Sequence, residues 1–206
     1  MPTLILASYD PEWPLRFKEI GAALRAALEP VLGDRLTGVH HIGSTSVPGL
    51  AAKPIIDVQV SIRDFRPWSR TDLVTPDEPV EKPSREHVGE DLALIDALES
   101  TGLRWLGDWC IDYRKWLFSR RDGLSANCHV RREGCASQQQ ALLFRDYLRV
   151  SAGARRRYED LKRELAKGEW AAVDDYADAK SDCVWAILRE ADGWSTYGWR
   201  PTPTDA

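Results

Sequence analysis

At 206 residues the chain is sized for one domain, or one domain with a helical extension, and 43% hydrophobic against 29% charged residues argues for a packed core over disorder. A net charge of −4 argues against a nucleic-acid backbone as the main partner, while leaving room for a local basic cleft. The opening MPTLILASYDPEW is too short and lacks the basic flank of a signal peptide, and no window is apolar enough to span a bilayer; a cytoplasmic location without membrane association is the expectation.

YDPEWPLRFKEIGAALRAALEPVLG predicts the first helix, with Asp10 as N-cap and Pro11 at the first helical position. Phe17, Ile20, Leu24, Ala27 and Leu28 recur at helical spacing as one apolar face, and Gly33 ends the run. RLTGVHHIG reads as a short strand entering a turn of Gly43, Ser44, Thr45 and Ser46. PIIDVQVSI alternates: Ile56, Val58, Val60 and Ile62 face a core, while Ile55, Asp57, Gln59 and Ser61 face a site floor or a wet surface. Residues 64–90 are rich in proline and charge without periodicity, which predicts either a loop covering a site or plain disorder.

DLALIDALESTG predicts a helix with Leu92, Ile95 and Leu98 or Glu99 on successive turns, closed by Gly102. LRWLGDWCI, YRKWLFSR and SANCHVR are three candidate strands, most simply an antiparallel meander. From Ser137 helical patterns follow one another without strands, with a break near Ser151–Gly153 and stop signals at Gly168 and Gly193. WSTYGWRPTPTDA reads as a surface strap. This order predicts an α+β domain over residues 1–193, sheet-containing to about 135 and helical from 136, with 194–206 as a tail.

The turn and the strand after it carry the chemistry. A metal-dependent phosphoryl-transfer site needs oxygen ligands for a divalent cation, and two carboxylates two residues apart on a strand point the same way. Asp57 fills the first position; Gln59, in the second, offers a neutral carbonyl, so Asp108, Asp112 or Asp122 of the meander would have to contribute. The alternative is a structural turn followed by one exposed aspartate. Cys110, Cys128, Cys135 and Cys183 are too far apart for CxxC pairs, which leaves a zinc site of Cys128, His129 and Cys135 against scattered thiols. The nine tryptophans read mainly as core and edge aromatics.

HIGSTSVPGLAAKPIIDV resembles the signature of the GrpB family, a group assigned to the nucleotidyltransferase superfamily. The resemblance covers nearly the whole chain: YDPEWPLRF, NCHV, LLFRDYLR, YEDLKRELA and YADAKSDCVWAIL follow in the family's order. It implies a nucleotidyltransferase-like small mixed sheet with flanking helices and a helical C-terminal half. It also implies Gly43 and Ser44, with Thr45, at a phosphate-binding turn and Asp57 as a ligand of Mg²⁺ or Mn²⁺. Gln59 departs from the superfamily pattern at the second ligand position. His129 stands where a third carboxylate is common, as a ligand or a hydrogen-bonding residue, and Asn127 replaces the family's usual histidine on that strand.

Further candidates follow from position. His41 is turned to the cleft, with His40 to the core; Lys53 reaches a phosphate or is merely solvated. Arg145 and Arg149, on one helical face, clamp phosphates or form a salt-bridge lattice between helices and sheet. Tyr176 and Lys180, at i and i+4, present a phenol and an ammonium to a nucleotide. The implied function is binding of a nucleotide or another phosphorylated small molecule, with metal-dependent nucleotidyl transfer to an unidentified acceptor as its extension. The alternative is a non-catalytic binding or folding-assistance module with a protein partner, as for GrpB-like domains fused to dephospho-CoA kinase.

Overall fold

The computed structural model describes residues 5–65, 92–108, 115–168, 170 and 173–203. Helix α1 (Trp13–Leu32) leads into strand β1 (Leu36–Ile42), a single 3-10 turn (Ser44–Ser46) and strand β2 (Ile56–Ile62). Helix α2 (Leu92–Ser100) precedes strands β3 (Arg104–Asp108), β4 (Lys115–Arg120) and β5 (Ala126–Arg132). Four helices complete the chain: α3 (Ala136–Val150), α4 (Ala152–Leu165), α5 (Val173–Asp178) and α6 (Ser181–Ser195). The architecture is α+β. Its mixed five-stranded sheet has the order β1-β2-β5-β4-β3, antiparallel except for the central β2–β5 pair, so the meander is formed as its three strands predict.

The apolar period of α1 sends Trp13, Phe17, Ile20, Leu24, Leu28 and Leu32 onto the sheet. They meet Val58, Val60 and Ile62 of β2, Phe118 of β4 and Cys128 and Val130 of β5. Each large apolar side chain taken fully from water there contributes about 1.5–3 kcal/mol. Leu94, Ile95 and Leu98 bring α2 to the same core; Leu92 is exposed, so the buried stripe starts two residues later than its spacing suggests. A second, smaller core of Val47, Leu50, Leu148, Ala154, Tyr158 and Ile187 joins the segment after the 3-10 turn to α3, α4 and α6.

Several boundaries differ from the sequence reading for identifiable reasons. Asp10 caps a turn and not the helix: its Oδ1 accepts from the Glu12 amide and its carbonyl from Trp13, so α1 begins at Trp13 with Pro14 in the first turn. Ser151 caps α4, accepting from Ala154 N at 3.3 Å, as the break there predicts. Gly193 does not stop α6, which runs on to Ser195. The face of β2 with Asp57, Gln59 and Ser61 is wet only at Asp57, because α3 covers the other two. The connection at 64–90 falls, from residue 66 on, outside the described residues, as do Cys110 and Asp112. No described helix is long and apolar enough to cross a membrane.

Candidate functional site

Register builds the site. In the parallel β2–β5 pair Asp57 lies opposite Asn127, Gln59 opposite His129 and Ser61 opposite Arg131, so all six side chains share one face. Asp57 and Asn127 lie at the strand starts, and β1 runs antiparallel into Gly43 just above them. Gly43 has φ +69°, and a Cβ there would stand 2.4 Å from Asp57 Oδ2. Glycine is thus needed both for the left-handed turn and for the close approach of the turn to the carboxylate.

The 3-10 turn, β2, α4 and the α5–α6 junction enclose a cavity of about 100 Å³. Its lining includes Ser44, Asp57, Asn127 and three lysines, Lys53, Lys162 and Lys180. Asp57 is the one carboxylate that lines it among the described residues. Lys53 Nζ and Lys180 Nζ lie 4.2 and 4.4 Å from the centroid of Tyr176, which also lines the cavity. Lys162 is 2% exposed; its Nζ donates to Ser44 Oγ at 3.0 Å and, by a shorter contact, to the Ala51 carbonyl, 4.7 Å from the Tyr158 ring centre.

The electrostatics follow from crowding and burial. Burial brings the Lys162 ammonium down to about 7, with Lys180 repelling it, and Lys180 itself to about 8, with Lys53 repelling it. Lys53 is lowered by burial against the pull of Asp57. Burial raises the Asp57 carboxyl, but the His129 ring and the Asn127 amide outweigh it, and the net shift is downward. Asn127 Nδ2 donates to Asp57 Oδ1 at 2.8 Å, and Arg121 donates to Asn127 Oδ1 at 2.7 Å, which polarises the amide toward the carboxylate. His129 Nε2 lies 3.8 Å from Asp57 Oδ1, and burial pushes its imidazole down to about 4, so it is neutral at neutral pH.

The structure gathers Ser44, Thr45, Lys53, Asp57, Tyr176 and Lys180 at one cavity, keeps Gly43 and His129 beside Asp57, and sends Gln59, His41, Arg145 and Arg149 elsewhere. Gln59 is fully buried: Arg131 donates to its Oε1, and its own amide reaches Gln138 O at 3.4 Å. The place of a second carboxylate is therefore taken by a neutral acceptor for a buried guanidinium. His41 faces the core, because strand parity puts it with Val39 and Val58. Its ring stacks on Phe17 at 4.7 Å and its Nε2 reaches Thr45 Oγ1, behind the cavity wall. His40 shares the face of Gln59, with its ring beside Gly38, and does not line the cavity either.

Of the two alternatives for Arg145 and Arg149, the hydrogen bonds observed are those of the lattice between helices and sheet. Arg145, 2% exposed, donates to Asp146, to the His41 carbonyl and to the Thr202 carbonyl; Arg149 donates to the Ser46 carbonyl. Tyr176 and Lys180 meet across a helix break, since α5 ends at Asp178 and Lys180 precedes α6. Cys128 points into the core and His129 away from it, so adjacent strand positions cannot share a zinc ion. Asp122 lies beside a separate depression formed with Glu19 of α1.

Lys162 is the site residue that the sequence reading missed. Its signal was present, a lysine four residues after Tyr158 and eight after Ala154 on the buried stripe of α4.

Among the described residues the donor set does not fit a pair of Mg²⁺ or Mn²⁺ ions. One carboxylate, already engaged by an amide, faces three lysine side chains across the cavity. No group of three His, Cys, Asp or Glu side chains suited to a metal occurs among the described residues. Hard divalent cations need several anionic or carbonyl oxygens, and neighbouring ammoniums oppose them.

The family model described as GrpB protein matches residues 3–74 and 85–190. UPF0157 protein BH1888 of Halalkalibacterium halodurans is 35% identical over 189 residues, covering 92% of this chain and 83% of that protein. A dephospho-CoA kinase of Mycolicibacterium paratuberculosis is 33% identical over 198 residues, covering 93% of this chain but 47% of the kinase; the chain spans about half the length of such relatives. Among solved structures, the conserved protein GrpB from Enterococcus faecalis superposes with a TM-score of 0.68 at 26% identity, covering 92% of this chain and 99% of that one.

Proposed function

We propose, from the premise that this chain belongs to the GrpB family, that it binds a phosphorylated small molecule, a nucleotide among the candidates, through its phosphate groups in the lysine-lined cavity. The observation that carries the reading is the convergence of Lys53, Lys162 and Lys180 with the Ser44 hydroxyl on one concave site. The Lys53 and Lys180 ammoniums, with hydrogen bonds from Lys162 and Ser44, balance a phosphate dianion without help from a metal pair, and desolvated charge-assisted hydrogen bonds are the strong ones. A cavity of about 100 Å³ suits phosphate groups, so a nucleoside would extend beyond it. Lys53 and Lys180 both sit against the Tyr176 ring, which argues against that ring as a stacking platform for a base.

Calorimetric titration of inorganic phosphate, pyrophosphate and ATP, each with and without Mg²⁺, tests this. Binding without Mg²⁺ is expected, weakened about tenfold or more in Lys180→Ala. Asp57→Asn discriminates by sign: removing the carboxylate from a cationic anion site tightens metal-free binding, whereas removing a metal ligand abolishes binding. Binding that needs Mg²⁺ and disappears in Asp57→Asn would restore the metal-dependent transferase reading; no binding at all would sink the proposal.

A second reading rests on the alignment with about half of dephospho-CoA kinase chains. On that reading the domain is a non-catalytic module that acts on a protein partner. It gains ground if the cavity binds none of the three anions.

A further inference from the structure

We infer that Ser44 is a nucleophile with Lys162 as its general base, and that it accepts the phosphoryl group of a phosphoric anhydride held in the cavity, becoming a phosphoserine. The inference rests on the phosphate-binding reading and adds a bond-forming atom to it.

Lys162 is placed as a base and not as a counter-ion. It projects from the buried stripe of α4, and among the described residues its hydrogen bonds go to the Ala51 carbonyl and the Ser44 hydroxyl, with the Tyr158 ring beside it, and to no carboxylate. A neutral amine has two N–H donors and one lone pair. With one N–H directed to Ala51 O, the lone pair is free to turn to Ser44, and the 3.0 Å hydrogen bond then runs from Ser44 O–H to Lys162 Nζ. That is the geometry a serine needs to lose its proton as it attacks. The backbone carbonyl fixes the amine, and the Tyr158 face stabilises the ammonium as it forms.

The charge environment completes the arrangement. Lys180 at the α5–α6 junction and Lys53 ahead of β2 line the cavity with Ser44 and would neutralise the phosphoryl oxygens. Asp57 of β2 and Tyr176 of α5 face the same space, while Tyr158, Glu159 and Arg163 neighbour Lys162 on its own helix. Burial and Lys180 bring Lys162 to about 7, so a large fraction of the amine is neutral at physiological pH.

In the step, the Ser44 Oγ–P bond forms and the bond from phosphorus to the bridging oxygen breaks. The leaving group departs with that electron pair, the serine proton moves to Lys162 Nζ, and nothing is oxidised or reduced.

The experiment incubates the 206-residue chain with acetyl phosphate and reads phosphorylation by intact mass and peptide mapping, beside a phosphate titration on the same samples. The expected result is one phosphoryl group on Ser44, absent in Ser44→Ala and formed about a hundredfold more slowly in Lys162→Met. In the wild type the rate should rise with pH around a midpoint near 7 as Lys162 deprotonates. This profile needs no variant and stands even if Lys162→Met folds poorly. Phosphate binding with no phosphoserine overturns this inference and leaves the binding reading intact; loss of both overturns both. Modification at another residue, or a rate independent of pH across that range, also overturns it.

Discussion

Gln59 shows how one side chain changes what a site can be. Its neighbour Arg131 is buried and places a guanidinium N–H on the Gln59 carbonyl oxygen, so the pair is a structural hydrogen bond inside the sheet–α3 interface. Restoring a carboxylate with Gln59→Glu is therefore expected to create an ion pair with Arg131 and not a metal ligand. Manganese titration followed by electron paramagnetic resonance should show no gained site, and urea unfolding should stay within about 2 kcal/mol of wild type. Tight Mn²⁺ binding by Gln59→Glu would instead mean that the buried guanidinium yields the carboxylate to the cavity. Gln59→Leu leaves the guanidinium N–H without its acceptor and should cost about 2–3 kcal/mol.

At the scale of elements, the helical half is fastened to the sheet by α3. Arg145 ties three segments together through the end of β1, Asp146 and the C-terminal strap, while Asp146 Oδ2 accepts from Trp199 Nε1 at 3.1 Å and from the Thr202 amide at 2.9 Å. Burial raises the Asp146 carboxyl, but the Arg145, Thr202 and Trp199 donors outweigh it and hold it below its ordinary value. Arg145→Met leaves Asp146 buried without its main cation and should cost about 3–5 kcal/mol in urea unfolding. Because Arg145 also holds the His41 carbonyl, one residue pair before Gly43, the same variant should weaken phosphate binding at the 3-10 turn. Lost stability with unchanged binding would show that the turn is held by β1–β2 pairing alone.

Across the whole molecule, protonation and stability are linked with one sign over a broad range. Burial pushes His41 down to about 3 and His129 to about 4, so between those values and 6.5 the unfolded chain binds more protons than the folded one. Lys162 and Lys180, lowered to about 7 and about 8, act in the same direction from there toward 10.5. Stability should therefore rise with pH from about 4.5 to about 8.5, with a slope of up to about 1.4 kcal/mol per pH unit for each group while it titrates. Urea midpoints across that range check the slope, and His41→Phe should remove part of its acid limb. A flat profile would mean that the buried histidines and lysines take up protons in the folded state as readily as in the unfolded one.

Local patterns determined much of this protein. The stripe of α1, the alternation of β2, the turn between β4 and β5 and the Ser151 break each express a period or a cap that neighbouring residues decide among themselves. The turn of Gly43 and Ser44 and the carboxylate of Asp57 were legible in the same way, as was the family. The sequence reading faces His41 to the cleft, and the structure turns it inward with the buried Val39 two positions before it. What only the tertiary structure decided is which distant groups share one space. Lys162 lies 118 residues from Ser44, Arg131 lies 72 from Gln59, and Arg145 lies 104 from the carbonyl it holds. Whether a lysine is a solvated charge or a desolvated base, and whether an arginine clamps a ligand or a strand, depends on burial and on partners that chain proximity does not specify. The cavity became lined with lysines through packing, when α4 and the α5–α6 junction brought Lys162 and Lys180 to stand with Lys53 across from Asp57.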